Sequence, residues 1–103
     1  MTIRSREAQR PIRAALREEL YDRVRAGDIG LIEAVRMMRK VAGKSQAEYA
    51  KLVGVSPRSL IDFERGVGNP TLETIQKILA PFGFELTVRV RRQDGDHSAR
   101  MTT

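Results

Sequence analysis

The residues of this chain best suited to chemistry lie between Ser45 and Gly66. They read as two short helices joined by a glycine turn at Gly54, each opened by a serine, Ser45 and Ser56. That is how a protein presents one exposed helix to the major groove of DNA. The chemistry expected is hydrogen bonding to base edges and phosphates, with no bond made or broken.

Bond-making chemistry has little material. The chain has no Cys and a single His, His97, so neither a zinc site nor a nucleophilic triad can be assembled. Asp94, Asp96 and His97 are read as a solvated tail. Gly66-Val67-Gly68 lacks the preceding strand and the Gly-Lys-Ser/Thr ending of a phosphate loop. Gly43-Lys44-Ser45 has that ending but no glycine loop ahead of it. No enzyme, cofactor or metal is expected.

The elements that hold this stretch follow from periodicity. Residues 1–10 are polar without a period and are expected to fray. Pro11 suits a first helical turn, and Ile12, Leu16, Leu20 and Val24 recur every four residues, which predicts a helix over roughly 11–26. Asp28 is a candidate N-cap for a second helix over roughly 29–42. Leu31, Val35, Met38 and Ala42 form its apolar stripe, widened by Ile32, Met37 and Val41, and Gly43 ends it. A third helix, 46–53, has Ser45 as cap and Glu48 at the capping-box position. In the fourth, Pro57 takes the first position and Leu60 and Phe63 point inward. Thr71 caps the fifth, which Pro81 should end or bend near Ala80.

After Gly83 the period changes to two. Phe84, Leu86, Val88 and Val90 alternate with Glu85, Thr87, Arg89 and Arg91, which predicts one half-buried strand. A strand needs a partner for its backbone groups, and no second strand is evident. The expected partner is the same strand of a second copy, antiparallel about a two-fold axis. The alternative is a strand docked on its own helices with an open edge. The expected organisation is an N-terminal arm and amphipathic helix (1–27), a helix-turn-helix domain (28–83), a dimerisation strand (84–92) and a disordered tail (93–103).

Charge supports a polyanionic partner. The formal net charge is +6 and the pI about 10.5. Residues 1–44 carry 11 Lys+Arg against 6 Asp+Glu, whereas residues 45–83 carry 4 against 4. The reading unit is neutral, so a phosphate clamp should borrow cations from the first two helices. No apolar run approaches the roughly 18 residues of a membrane span, and no apolar stretch follows the basic N-terminus to make a secretory signal. A cytoplasmic, nucleoid-associated location is expected, without membrane partners.

Residues from about Leu31 to Gly83 resemble the Cro/C1-type, or XRE, helix-turn-helix family of bacterial and phage repressors. The resemblance rests on Gly43-Lys44-Ser45-Gln46, Ala50, Gly54-Val55-Ser56, Phe63-Glu64-Arg65-Gly66 and Asn69-Pro70-Thr71-Leu72. The N-terminal helix and C-terminal strand look most like the HipB-type antitoxins. The implied fold is all-α: a five-helix lambda-repressor-like helix-turn-helix domain with an added N-terminal helix and one C-terminal strand.

The resemblance also implies roles. Pro57, Arg58, Ser59 and Asp62 fall on the outward face of the recognition helix and are candidates for base contact. Arg58 can donate two bonds to guanine, or else grip a phosphate; both readings stand. Asp62 accepts from cytosine N4, orients Arg58, or repels wrong registers. Gln46, Ser56, Asn69 and Thr71 match positions that reach the DNA backbone; Arg39 and Glu64 match a structural ion pair, which is also expected to orient Arg39 toward a phosphate. Lys44, Pro57, Leu52 and Ile61 depart from the family pattern. Leu52 and Ile61 are apolar where surface residues are common, as if packing against the N-terminal helix, a second subunit or a protein partner.

The implied function is a homodimeric, sequence-specific double-stranded DNA-binding repressor on a palindromic operator, autoregulatory and with a cognate toxin as a further partner. The alternative is an interaction protein whose main task is to neutralise that toxin.

Overall fold

The computed structural model describes residues 5–90, with side chains from residue 9 onward. The first four residues of the expected arm, residues 91 and 92 of the expected strand, and the tail with Asp94, Asp96 and His97 lie outside the described residues.

Among the described residues five α-helices follow one another: α1 (Ser5–Ala26), α2 (Leu31–Ala42), α3 (Gln46–Val53), α4 (Pro57–Arg65) and α5 (Leu72–Leu79), with a 3-10 turn over Ala80–Phe82. The N-terminal helix is thus one of the five and not an addition to them.

Two boundaries differ from expectation. α1 begins at Ser5, so Pro11 lies inside the helix and residues 5–10 are helical. Glu7, Ala8, Gln9 and Arg10 are all good helix formers, and their propensity outweighs the one backbone bond that Pro11 cannot donate. α2 begins at Leu31 with Gly30 at its N-cap and no side-chain cap. Asp28 does not cap it because Arg23 holds it: Arg23 Nε lies 3.5 Å from Asp28 Oδ1, and Nη2 donates to the Asp28 carbonyl at 3.1 Å.

α1 and α2 run antiparallel. Arg23, near the end of α1, donates to Glu33 at the start of α2 at 3.1 Å and 3.3 Å. Arg13, earlier in α1, lies against Gly43 at the end of α2. Of the α1 stripe only Leu20 is fully buried; Leu16 and Val24 are half-buried, and Ile12 is 65% exposed.

The core is built by Leu20, Ala34, Val35, Met37, Met38, Tyr49, Ala50, Leu60, Phe63, Ile78 and Leu79. Leu31, expected in the inward stripe, stands at the exposed margin. Tyr49 is completely buried, and its hydroxyl donates to the Ile78 carbonyl at 2.8 Å, tying α3 to α5. Burial pushes its phenol up to about 12. Pro81 ends α5 as expected: the α-helix stops at Leu79 and the 3-10 turn follows.

Among the described residues there is no strand. The reason is physical: a single chain offers residues 84–90 no row of backbone groups to pair with. The alternation is nevertheless present. Phe84 and Leu86 are half-buried against the core, with Glu85 and Thr87 exposed between them. Tyr21 packs edge-on to Phe84 and donates its hydroxyl to the Phe82 carbonyl at 2.9 Å. Beyond Leu86 the pattern leaves the domain, and Val88 and Val90 are 94% and 83% exposed.

Candidate nucleic-acid interface

Two capped helices and one glycine make the site. Ser45 Oγ accepts from Glu48 N at 3.1 Å, and Glu48 Oε1 accepts from Ser45 N at 2.9 Å, a complete capping box on α3. The bond from the Ser45 backbone N–H holds the Glu48 carboxyl below its usual range. α3 stops at Gly54, whose φ of 80° lies in the left-handed region that costs glycine nothing. Val55 N then returns to the Ala50 carbonyl at 3.0 Å, which fixes the angle into α4.

Ser56 caps α4 by accepting from Ser59 N at 3.0 Å, with Pro57 in the first turn. Leu60, Phe63 and Glu64 are buried on one side of α4, while Pro57, Arg58 and Ser59 are exposed on the other. The Arg58 side chain is 74% exposed, with Nε 3.9 Å from Asp62 Oδ2, so Asp62 tethers Arg58 without burying it. The Ser56 and Ser59 hydroxyls lie 2.9 Å apart; one donates to the other, leaving one O–H for an external acceptor.

Beneath this face lies a polar knot. Glu64 is 3% exposed, yet its carboxylate accepts from Arg39 Nε at 2.9 Å, Arg39 Nη2 at 3.0 Å and Gln46 Nε2 at 3.1 Å. Arg39 Nη1 also donates to the Lys44 carbonyl at 3.2 Å, and Arg36 Nη2 donates to the Glu64 carbonyl. The paired role expected for Arg39 and Glu64 is present in the geometry. All three Arg39 nitrogens are engaged within the protein, so its guanidinium is turned inward. Gln46 Nε2 keeps a second N–H, aimed by the knot.

Asn69 and Thr71 lie in the α4–α5 connection, both exposed. Thr71 Oγ1 accepts from Thr74 N at 3.1 Å and caps α5. The structure therefore places Pro57, Arg58, Ser59 and Asp62 on α4, joins Gln46 and Arg39 through Glu64, and puts Asn69 and Thr71 in the α4–α5 connection. Sequence reasoning missed the Gln46–Glu64 bond and the Arg36 contact. A glutamine and an arginine each facing a buried glutamate leave no signature in periodicity.

Leu52 is 57% exposed and Ile61 half-buried, so among the described residues Leu52 finds no cover from α1. Among the described residues no group of three or more His, Cys, Asp or Glu could hold a metal ion, and no helix is long and apolar enough to cross a membrane.

A family model described as helix-turn-helix matches residues 35–88, more than half of the chain. The chain belongs to the XRE-type helix-turn-helix family. Within that family the chain is similar to an uncharacterized HTH-type transcriptional regulator of Haemophilus influenzae, 37% identical over 60 residues, covering 58% of this chain and 61% of the relative. It is also similar to the antitoxin HipB of Escherichia coli, 33% identical over 58 residues, covering 56% of this chain and 66% of that protein. The matches thus span less than two thirds of the length of either relative. No solved structure matches the chain.

Proposed function

We propose that this chain is a sequence-specific double-stranded DNA-binding transcriptional repressor that acts as a homodimer. The observation that carries the reading is the two-sided nature of α4: one side anchored by Leu60, Phe63 and Glu64, the other presenting Pro57, Arg58 and Ser59 to solvent. Membership of the XRE-type family and the name of the Haemophilus relative support it.

In this reading α4 enters the major groove. Arg58, steered by Asp62, reads a base or grips a phosphate, and Pro57 and Ser59 make the adjacent contacts. Gln46, Ser56, Asn69 and Thr71 meet the DNA backbone. Arg39 is the weakest of the proposed phosphate contacts, because its nitrogens are committed to Glu64 and Lys44; it acts by aiming Gln46. Phe84, Leu86, Val88 and Val90 pair with their counterparts in a second copy, and exposure of the last two supports this. A two-fold dimer places two α4 helices about 34 Å apart on a palindromic site, and autoregulation follows if that site lies upstream of the chain's own gene.

A second reading, neutralisation of a partner toxin, is supported by the name of the Escherichia relative and by exposed Leu52. The two roles are compatible in one dimer. A gel shift with the chain's own upstream DNA tests the main reading against a scrambled duplex of equal length. A clear preference for the upstream duplex is expected. Equal affinity makes the chain an architectural binder, and no binding to either overturns the reading. Co-purification with the product of an adjacent reading frame tests the second.

A further inference from the structure

The motif lacks the positive charge that a polyanion requires. Residues 45–83 hold 4 Lys+Arg against 4 Asp+Glu, and the excess lies in residues 1–44. Much of that excess is engaged by partners within the chain. Arg23 pairs with Asp28 and Glu33, Arg25 with Asp22, and Arg39 with Glu64. Arg36 donates to the Glu64 carbonyl, and Arg17 lies 5.1 Å over the Tyr21 ring.

Arg13, Lys40 and Lys44 are placed differently: all three lie around the C-terminal end of α2. The Arg13 guanidinium covers Gly43: a methyl group on Gly43 would meet Arg13 Nη1 at 2.7 Å. Lys40 shares one stripe of α2 with Glu33 and Met37, and Arg23 of α1 reaches both of those, so Lys40 lies toward α1. Lys44 follows Gly43 directly, and its carbonyl accepts from Arg39. Two residues further on, Gln46 opens α3 and joins Glu64. A basic seam therefore runs from the α1–α2 contact to the edge of the candidate interface. Both lysines are exposed, and Arg13 is half-buried.

We propose that this seam, Arg13, Lys40 and Lys44, is a second phosphate-binding site, which extends the grip on a DNA backbone beyond the helix-turn-helix itself. It rests on the reading of the chain as a duplex binder. Of the three, Arg13 on α1 lies outside the residues 35–88 that the family model matches, and Lys40 and Lys44 lie within them. Cations placed this way read no sequence; they add counterion release and therefore steeper salt dependence. A purely local role exists for comparison, because cations near the end of α2 also favour its dipole.

The test titrates the full chain against two duplexes of about 30 base pairs, room for two half-sites one turn apart. One carries the chain's own upstream DNA and the other a mixed sequence. Wild type, Arg13→Gln, Lys44→Gln and Lys77→Gln are compared over a salt series, with thermal melts to verify folding. Lys77→Gln makes the same charge change on α5, beside Glu73. Arg13→Gln and Lys44→Gln should each flatten the slope of log K against log salt by about 1 per protomer, and weaken both duplexes by the same factor. Lys77→Gln should leave the slope as in wild type. If wild type binds and neither seam variant changes the slope, the seam is overturned while the reading of α4 stands. A lowered melting temperature with an unchanged slope assigns the seam to the end of α2 and overturns it equally. If wild type binds neither duplex, both fall together.

Discussion

Arg39 grips Glu64 with two parallel hydrogen bonds, Nε to Oε2 at 2.9 Å and Nη2 to Oε1 at 3.0 Å. The pair joins α2 to α4 where the glutamate is almost wholly buried and the arginine largely so. Gln46 of α3 bonds to the same carboxylate, so one buried charge fixes the relative positions of three helices. Removing one member of such a pair strands the other.

Arg39→Ala should therefore destabilise the domain by about 3–5 kcal/mol, the usual cost of breaking a buried pair. Urea denaturation measures it. Glu64→Gln keeps a hydrogen-bonding side chain and removes the buried charge, so it should cost less than Arg39→Ala.

The Ser56 hydroxyl supplies the cap of α4. Ser56→Ala should cost about 0.5–2 kcal/mol of stability. Ser56→Gly should cost only a few tenths of a kcal/mol. Thermal melts that fail to separate these variants would remove the capping role.

Much of this architecture was legible in the sequence, and the reasons are local. Ser45 with Glu48, Gly54, Ser56 with Pro57, and Thr71 are each dictated by the chain within a few residues of themselves, and each forms the cap or turn expected. Asp28 has the residue type of a cap but does not act as one, because its competitor, Arg23, is reached only once α1 turns back at Gly27. The start of α1 is not legible because Pro11 resembles a first-turn proline, although the six residues before it hold a helix without its N–H. The candidate site was legible on α4, where outward positions follow from the buried Leu60 and Phe63. The bond from Gln46 to Glu64 spans 18 positions in sequence, and no pattern in either helix announces it.

Tyr49 couples stability to alkaline pH. Burial raises its folded phenol to about 12, above the ordinary tyrosine value near 10. The unfolded chain releases this proton near pH 10 while the folded chain holds it. The contribution is complete below pH 10 and is lost as pH rises toward 12, on the order of 2–3 kcal/mol in total. Tyr49→Phe should start less stable, having lost the bond to the Ile78 carbonyl, and should lose less between pH 10 and 12. Denaturant midpoints across that window check it.

Val88 and Val90 are exposed in the single chain but central to the proposed pairing. The double substitution Val88→Lys with Val90→Lys should leave the melting of the helical domain near wild type at low concentration and shift the chain to monomer. Sedimentation equilibrium reads the mass. A wild-type chain that sediments as a monomer at all concentrations would remove the dimer from the proposal.

Footprinting on the chain's own upstream DNA, wild type against Arg58→Ala, tests most directly whether the exposed side of α4 reads bases. Wild type should protect two half-sites about one helical turn apart. Arg58→Ala should relax discrimination at one base position in each half-site, with a loss of about 1–3 kcal/mol there. Uniform weakening at all sequences would assign Arg58 to a phosphate. A footprint and affinity identical to wild type, or no footprint from wild type on any duplex, would contradict the placement of α4 in the groove.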